Sequence, residues 1–215
     1  MKDFPKPDYG ITNIPSTSAM MRMSKRVDFP YSGIWVFTGH QGAGKTLFLI
    51  HTLKDILKEY PKAKVVSNIN LYGIPYIPYR GIEDFELGNG ADGIIYVIDE
   101  IHTIYSSLES KNMSGNLLTV WSQNRKNKRL IMATSQRWSR VAKPIREQAF
   151  FNIETRSTIF KTIFLWRAID ATEYDDDGKL SPEAEKDATW SFYVPRWNDM
   201  TSYDTLAVVK GADFK

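Results

Sequence analysis

Eight consecutive residues, Gly39, His40, Gln41, Gly42, Ala43, Gly44, Lys45 and Thr46, fit the pattern G-x-x-x-x-G-K-[ST] at every fixed position. In a phosphate-binding loop of this kind, glycines such as Gly42 and Gly44 let the backbone approach the phosphates. Lys45 then reaches the β and γ oxygens, and Thr46 offers its hydroxyl to Mg²⁺. About 50 residues further on, Asp99 and Glu100 follow the apolar run Ile94-Ile95-Tyr96-Val97-Ile98. An acid at the end of a buried strand holds Mg²⁺, usually through water, so Asp99 is the second metal candidate. A carboxylate beside it, Glu100, is placed to orient and deprotonate an attacking water. The pair points to hydrolysis of a nucleoside triphosphate rather than transfer to a small acceptor. The Asn-Lys-x-Asp base-reading motif of GTPases is absent, since Asn127-Lys128 runs on into Arg129-Leu130. ATP with Mg²⁺ is the expected pair.

Three further sets of residues are candidates. Gln136 ends an apolar run, and polar groups at strand ends in a parallel sheet converge on the ligand crevice, so it is read as a sensor of the γ-phosphate. Arg125 and Arg129 stand before that run and are read as candidates for an arginine finger reaching a neighbouring subunit. Arg137, Trp138 and Arg140 are candidate DNA contacts through charge and stacking, with Trp138 equally well suited to packing. Net charge is only +3, yet from Ser110 to Arg146 there are nine Lys and Arg and no acid. From Thr172 to Asp187 seven acids stand against two lysines. The basic segment is either a polyanion contact or a solvated face.

These groups need elements to hold them. Ile34 to Phe37 reads as a strand entering the glycine loop, and Leu47, Phe48, Ile50, Leu53, Ile56 and Leu57 leave it with helical spacing until Pro61. Further strands are expected over 63–71, 94–98, 130–134 and 149–155, with a helix over 115–127 and shorter helices over 82–87 and 143–148. Strands alternating with helices predict an α/β fold with a mainly parallel central sheet flanked by helices. Residues 159–171 and 189–196 are β-rich. Between them, Asp175-Asp176-Asp177-Gly178 signals a turn, and the position of the calcium-loop Glu is Ala184. Residues 1–30 carry Pro5, Pro7, Pro15 and Pro30 without apolar periodicity and read as an extended arm. The remainder, 31–215, reads as one domain with a core over 33–156 and a β-rich C-terminal extension over 157–215. There is no cysteine, which suits a reducing cytoplasm. The longest apolar runs are about five residues, far short of the ~20 of a membrane span, and no signal peptide is evident.

The order of these motifs resembles the FtsK–HerA superfamily of DNA-pumping ATPases. The glycine loop comes first, then Val97-Ile98-Asp99-Glu100, then the basic stretch Asn124 to Arg129, then Leu130 to Arg137. In that superfamily a glutamine follows the sensor strand in an Ala-Thr-Gln context. Here Ser135 is inserted before Gln136. The chain looks most like the small viral members, the genome-packaging ATPases and the zonular occludens toxin (Zot)-like assembly proteins of filamentous phages. Tyr203-Asp204-Thr205 is similar to an ending seen after that core. The resemblance implies a P-loop NTPase fold of the RecA/ASCE type and a homo-oligomeric ring, as hexamers in the superfamily, with sites between subunits. It also implies DNA as load and a capsid vertex or membrane-associated phage proteins as further partners. Zot-like proteins usually continue into a membrane span, and this sequence has none. The expectation is therefore a motor that pumps DNA into a capsid in the host cytoplasm. The alternatives are the cytosolic part of an extrusion ATPase and a nucleotide-gated binding module with little turnover.

Overall fold

Gly33–Thr38 forms the central strand β1, and all six of its residues are buried. The computed structural model describes residues 28–103, 123–158, 162–195 and 197–203. Helix α1, Lys45–Glu59, follows the glycine loop and buries Leu47, Phe48, Leu49, Ile50, Leu53 and Ile56; Leu49 joins the face that the apolar spacing marked, and Leu57 is only partly buried. Strand β2 is Lys64–Ser67, shorter than the expected 63–71. The Ser67 hydroxyl donates to the Ile69 carbonyl at 2.8 Å and accepts from the Ile69 N–H at 3.1 Å, so the side chain takes over the backbone partners and ends the strand. The short strand β3, Ile77–Pro78, and 3-10 turns at Ile82–Glu86 and Gly90–Asp92 lead to β4, Ile94–Ile98.

Strand β5 is Arg129–Ser135, and the expected helix over 115–127 lies mostly outside the described residues. Then come α2, Lys143–Arg146, and the long strand β6, Ala149–Ser157. The C-terminal part comprises β7, Phe164–Asp170; α3, Pro182–Asp187; β8, Ser191–Tyr193; and α4, Trp197–Met200.

The eight strands form one sheet in the order β3-β2-β4-β5-β1-β6-β7-β8. Pairing is parallel from β3 through β6 and antiparallel across β6–β7 and β7–β8. Strand β5 sits between β1 and β4, so the ends of β1, β5 and β4 lie side by side. Alternate residues feed two cores. Trp35, Phe37, Val97 and Met132 face α1, while Ile34, Val36, Tyr96, Ile98 and Ile131 face Trp138, Val141 and Ile145. Burial on both faces explains the unbroken apolar runs.

The expected arm ends earlier than residue 30. Phe29 is fully buried, edge-on to Tyr31 and Tyr60, and its N–H donates to the Ala91 carbonyl at 2.9 Å. Residues 1–27 lie outside the described residues.

The C-terminal extension is part of the same body. Trp166 stacks on Phe48 of α1 at 5.0 Å, and Tyr193 lies 5.4 Å from the same ring. Buried Asp199 then accepts from Tyr193 Oη at 2.8 Å and lies 3.3 Å from both Lys54 Nζ and His51 Nδ1 of α1. One buried carboxylate thus ties α4 to the helix that follows the glycine loop. Replacing Asp199 with Ala strands those partners and is expected to cost about 3 kcal/mol, read as a lower denaturant midpoint. The acidic turn closes as expected, with Gly178 N–H donating to the Asp175 carbonyl at 2.9 Å below a Tyr174–Leu180 bridge. Among the described residues, no helix is long and apolar enough to cross a membrane.

Candidate nucleotide site

The loop between β1 and α1 is shaped by two close approaches. A side chain at Gly39, whose φ is 155°, would meet the Thr155 carbonyl oxygen of β6 at 2.5 Å. One at Gly44, φ 83°, would run into the Phe164 ring of β7. Gly44 also accepts the first helical bond, from Phe48 N–H at 2.8 Å. The loop therefore rests on β6 and β7 and leads into the N-terminus of α1, where a phosphate is favoured. Lys45 is only 9% exposed, and its ammonium donates back to the His40 carbonyl at 3.2 Å. Burial lowers its pKa below the usual lysine value, and the charges of Glu100 and Asp99 oppose that shift.

Thr46 and Asp99 meet. The Thr46 hydroxyl donates to Asp99 Oδ1 at 2.9 Å. The same oxygen accepts from Thr134 Oγ1 at 2.8 Å, and Thr134 Oγ1 in turn accepts from Glu100 N–H at 2.8 Å. Asn68 brackets the Asp99 backbone, accepting from its N–H at 2.8 Å and donating to its carbonyl at 2.9 Å. Glu100 has φ 55°, a left-handed conformation that a non-glycine residue holds only when its surroundings impose it. Hydroxyl and carboxylate oxygens suit Mg²⁺. Among the described residues no group of three His, Cys, Asp or Glu side chains is close enough to hold a metal alone. Thr46 and Asp99 thus fit a metal that takes its remaining ligands from phosphate and water.

Thr134 and Asn68 are the residues the sequence reading missed. The available signal was polar Thr and Asn at the ends of apolar runs beside the run that ends in Asp99. Replacing Thr134 with Val keeps the shape but leaves Glu100 N–H unmatched. That is expected to cost about 1–3 kcal/mol in a chemical-denaturation experiment.

The other candidates separate. Gln136 lies one residue past β5, and its Oε1 accepts from Arg140 Nη1 at 2.6 Å. Ser135 stays buried in the strand, so the inserted residue moves Gln136 just beyond the position whose side chain meets Asp99.

Arg129 is not a finger. It is 2% exposed, and its guanidinium bonds Asn124 Oδ1 at 3.3 Å and the Tyr96 side chain. Burial pulls its pKa below the usual arginine value, with Tyr96 acting against the shift. It begins β5, at the end of the sheet opposite the glycine loop, and its guanidinium is buried within its own subunit. Arg125 is exposed at that same end.

Trp138 is not a DNA platform, because it is 6% exposed and packs on Tyr174 at 5.0 Å. Arg137 and Arg140 are exposed. The basic run does not form one face: Arg125 and Arg137 lie at opposite ends of β5, roughly 20 Å apart at strand rise. Lys143 lies 3.0 Å from Asp176, and Arg146 donates to the Asp176 carbonyl at 2.8 Å. The acidic turn thus occupies two of the nine cations.

Tyr203 reaches the neighbourhood of the site. It forms an antiparallel bridge with Leu71, three residues past Asn68, and its phenol is pushed up to about 12 by burial and by the charge of Asp99. Asp204 and Thr205 lie outside the described residues.

No family model matches the chain, and no curated protein matches it by sequence. Solved structures do. The N-terminal domain of zonular occludens toxin from Neisseria meningitidis superposes with a TM-score of 0.58 at 16% identity, covering 80% of this chain and 98% of that one. The genome packaging NTPase B204 from Sulfolobus turreted icosahedral virus 2, with AMPPCP, gives 0.47 at 14% identity over 76% and 98%. The flagellar accessory protein FlaH from Methanocaldococcus jannaschii gives 0.47 at 15% over 79% and 90%. The first of these carries the comparison, and at such identity it speaks for the fold. The sheet order, the glycine loop and this likeness together show that the chain has the P-loop NTPase fold, in the arrangement of the zonular occludens toxin N-terminal domain.

Proposed function

We propose that the chain binds ATP in loop 39–46, hydrolyses it with Glu100 as base, and uses the cycle to translocate DNA, as a viral packaging ATPase does. The observation that carries the hydrolysis reading is the chain of bonds from Thr46 through Asp99 Oδ1 to Thr134 and the Glu100 N–H. It supports this reading by joining Thr46, Asp99 and the Glu100 backbone in one hydrogen-bonded frame beside the glycine loop. Loop N–H groups and Lys45 bind the phosphates, Thr46 and Asp99 hold Mg²⁺, and Glu100 takes the proton of the attacking water. Mg²⁺, when bound, neutralises charge on the phosphate oxygens. Gln136 remains the candidate sensor, on a side chain that exchanges Arg140 for a γ-phosphate or water.

DNA as load is supported by the exposed Arg137 and Arg140, at the same end of the sheet as the glycine loop. A homo-oligomeric ring with Arg125 as the finger completes this reading, with a capsid vertex and the host cytoplasm as its setting. A second reading, a Zot-like phage assembly ATPase, is favoured by the likeness to the toxin domain. Phosphate release from Mg-ATP, measured with and without DNA over a salt series, tests the load. A translocase is expected to be stimulated by DNA, and the stimulation is expected to fall with salt. Hydrolysis that ignores DNA at every salt concentration removes the translocase reading and leaves the assembly one.

A further inference from the structure

We infer that His102 is a positioning residue for Glu100, fixing the carboxylate that activates water; the inference rests on the hydrolysis reading above. The backbone carrying both residues is pinned at each step. Asp99 N–H is held by Asn68 Oδ1 at 2.8 Å, Glu100 N–H by Thr134 Oγ1 at 2.8 Å, and Ile101 N–H by the Thr134 carbonyl at 3.0 Å. The Glu100 carbonyl then accepts both Thr103 N–H and Thr103 Oγ1 at 2.9 Å. The left-handed turn at Glu100 swings the chain so that side chains two residues apart converge. His102 Nδ1 comes to 3.2 Å from Glu100 Oε2, and both atoms are shielded from solvent. The two atoms stand at ion-pair distance without a formed hydrogen bond between them, and the inference is that they align as donor and acceptor when the site is loaded.

A glutamate has several rotatable bonds, and a base must stand within hydrogen-bond reach of the water it activates. Once so aligned, the imidazole holds Oε2, the carboxylate keeps one orientation and Oε1 is left to accept the proton. The charge of Glu100 is felt at Lys45 of the glycine loop.

The test is a pair of variants assayed with Mg-ATP. His102→Ala is expected to lower kcat about 10- to 100-fold with KM and nucleotide affinity unchanged. His102→Asn, whose amide N–H can stand near the place of Nδ1–H, is expected to recover much of that loss. In a Glu100→Gln background, His102→Ala is expected to add nothing further. A His102→Ala enzyme at the wild-type rate overturns the inference, and so does an Asn variant no better than Ala. A wild type that binds Mg-ATP and releases no phosphate overturns the hydrolysis reading together with it.

Discussion

Glutamine at Glu100 is expected to reduce phosphate release about 10²- to 10⁴-fold while Mg-ATP binding is unchanged. The substitution keeps size and hydrogen-bonding reach but removes the group that accepts a proton. The backbone constraints at this position are unaffected, because Glu100 is held through its N–H by Thr134 and through its carbonyl by Thr103. The left-handed turn therefore persists, and with it the metal pair Thr46 and Asp99. Binding is read by titrating a fluorescent ATP analogue, turnover by phosphate release. A variant that loses both shows that Glu100 shapes the site rather than serving as the base.

The second large effect is at Lys45. Burial holds its pKa below the usual value, so the unfolded chain binds this proton more strongly than the folded one. The ammonium therefore opposes folding below the folded-state pKa. Stability contributed by this group rises with pH through the window between the folded pKa and 10.5. Phosphates supply the negative charge that favours the ammonium. Replacing Lys45 with Met is thus expected to leave the protein without nucleotide at least as stable as wild type, while affinity for ATP falls about 100-fold, or ~2.7 kcal/mol. ATP at 100 times its Kd stabilises wild type by about 2.7 kcal/mol, a rise in Tm of roughly 5–10 °C for a chain this size. The same concentration is expected to add under about 0.5 kcal/mol to the Lys45→Met variant. Equal thermal shifts in both proteins contradict the assignment of Lys45 to the phosphates.

The parts of the site that the sequence makes legible are those whose chemistry demands fixed residue types at fixed spacing. Loop 39–46 and Asp99-Glu100 are of that kind, and the first strand and helix follow from apolar spacing beside them. Thr134 and Asn68 are not legible, because a hydroxyl or amide at a strand end has many uses and its partner is distant in sequence. The two contacts with Asp99 span 35 and 31 residues, and only the order β2-β4-β5 brings them together. Arg129 misleads for the opposite reason. A cation in a basic run suggests solvent, yet strand register sets it opposite Ile94, where its guanidinium reaches the Tyr96 side chain two residues along the neighbouring strand. Trp138 follows the same rule, since Tyr174, its partner, lies in the acidic half of the chain. The extension was legible as β-rich, while its role beneath the loop rests on Phe164 and Tyr193, which no local pattern marks.

The most direct test of hydrolysis at this site is phosphate release by wild type and Glu100→Gln, both at saturating Mg-ATP, with bound nucleotide measured in the same samples. The predicted result is release by wild type that stops when Mg²⁺ is chelated, and a Glu100→Gln protein that carries ATP without releasing phosphate. A wild type that stays loaded with intact ATP, or a Glu100→Gln protein that turns over at the wild-type rate, contradicts it.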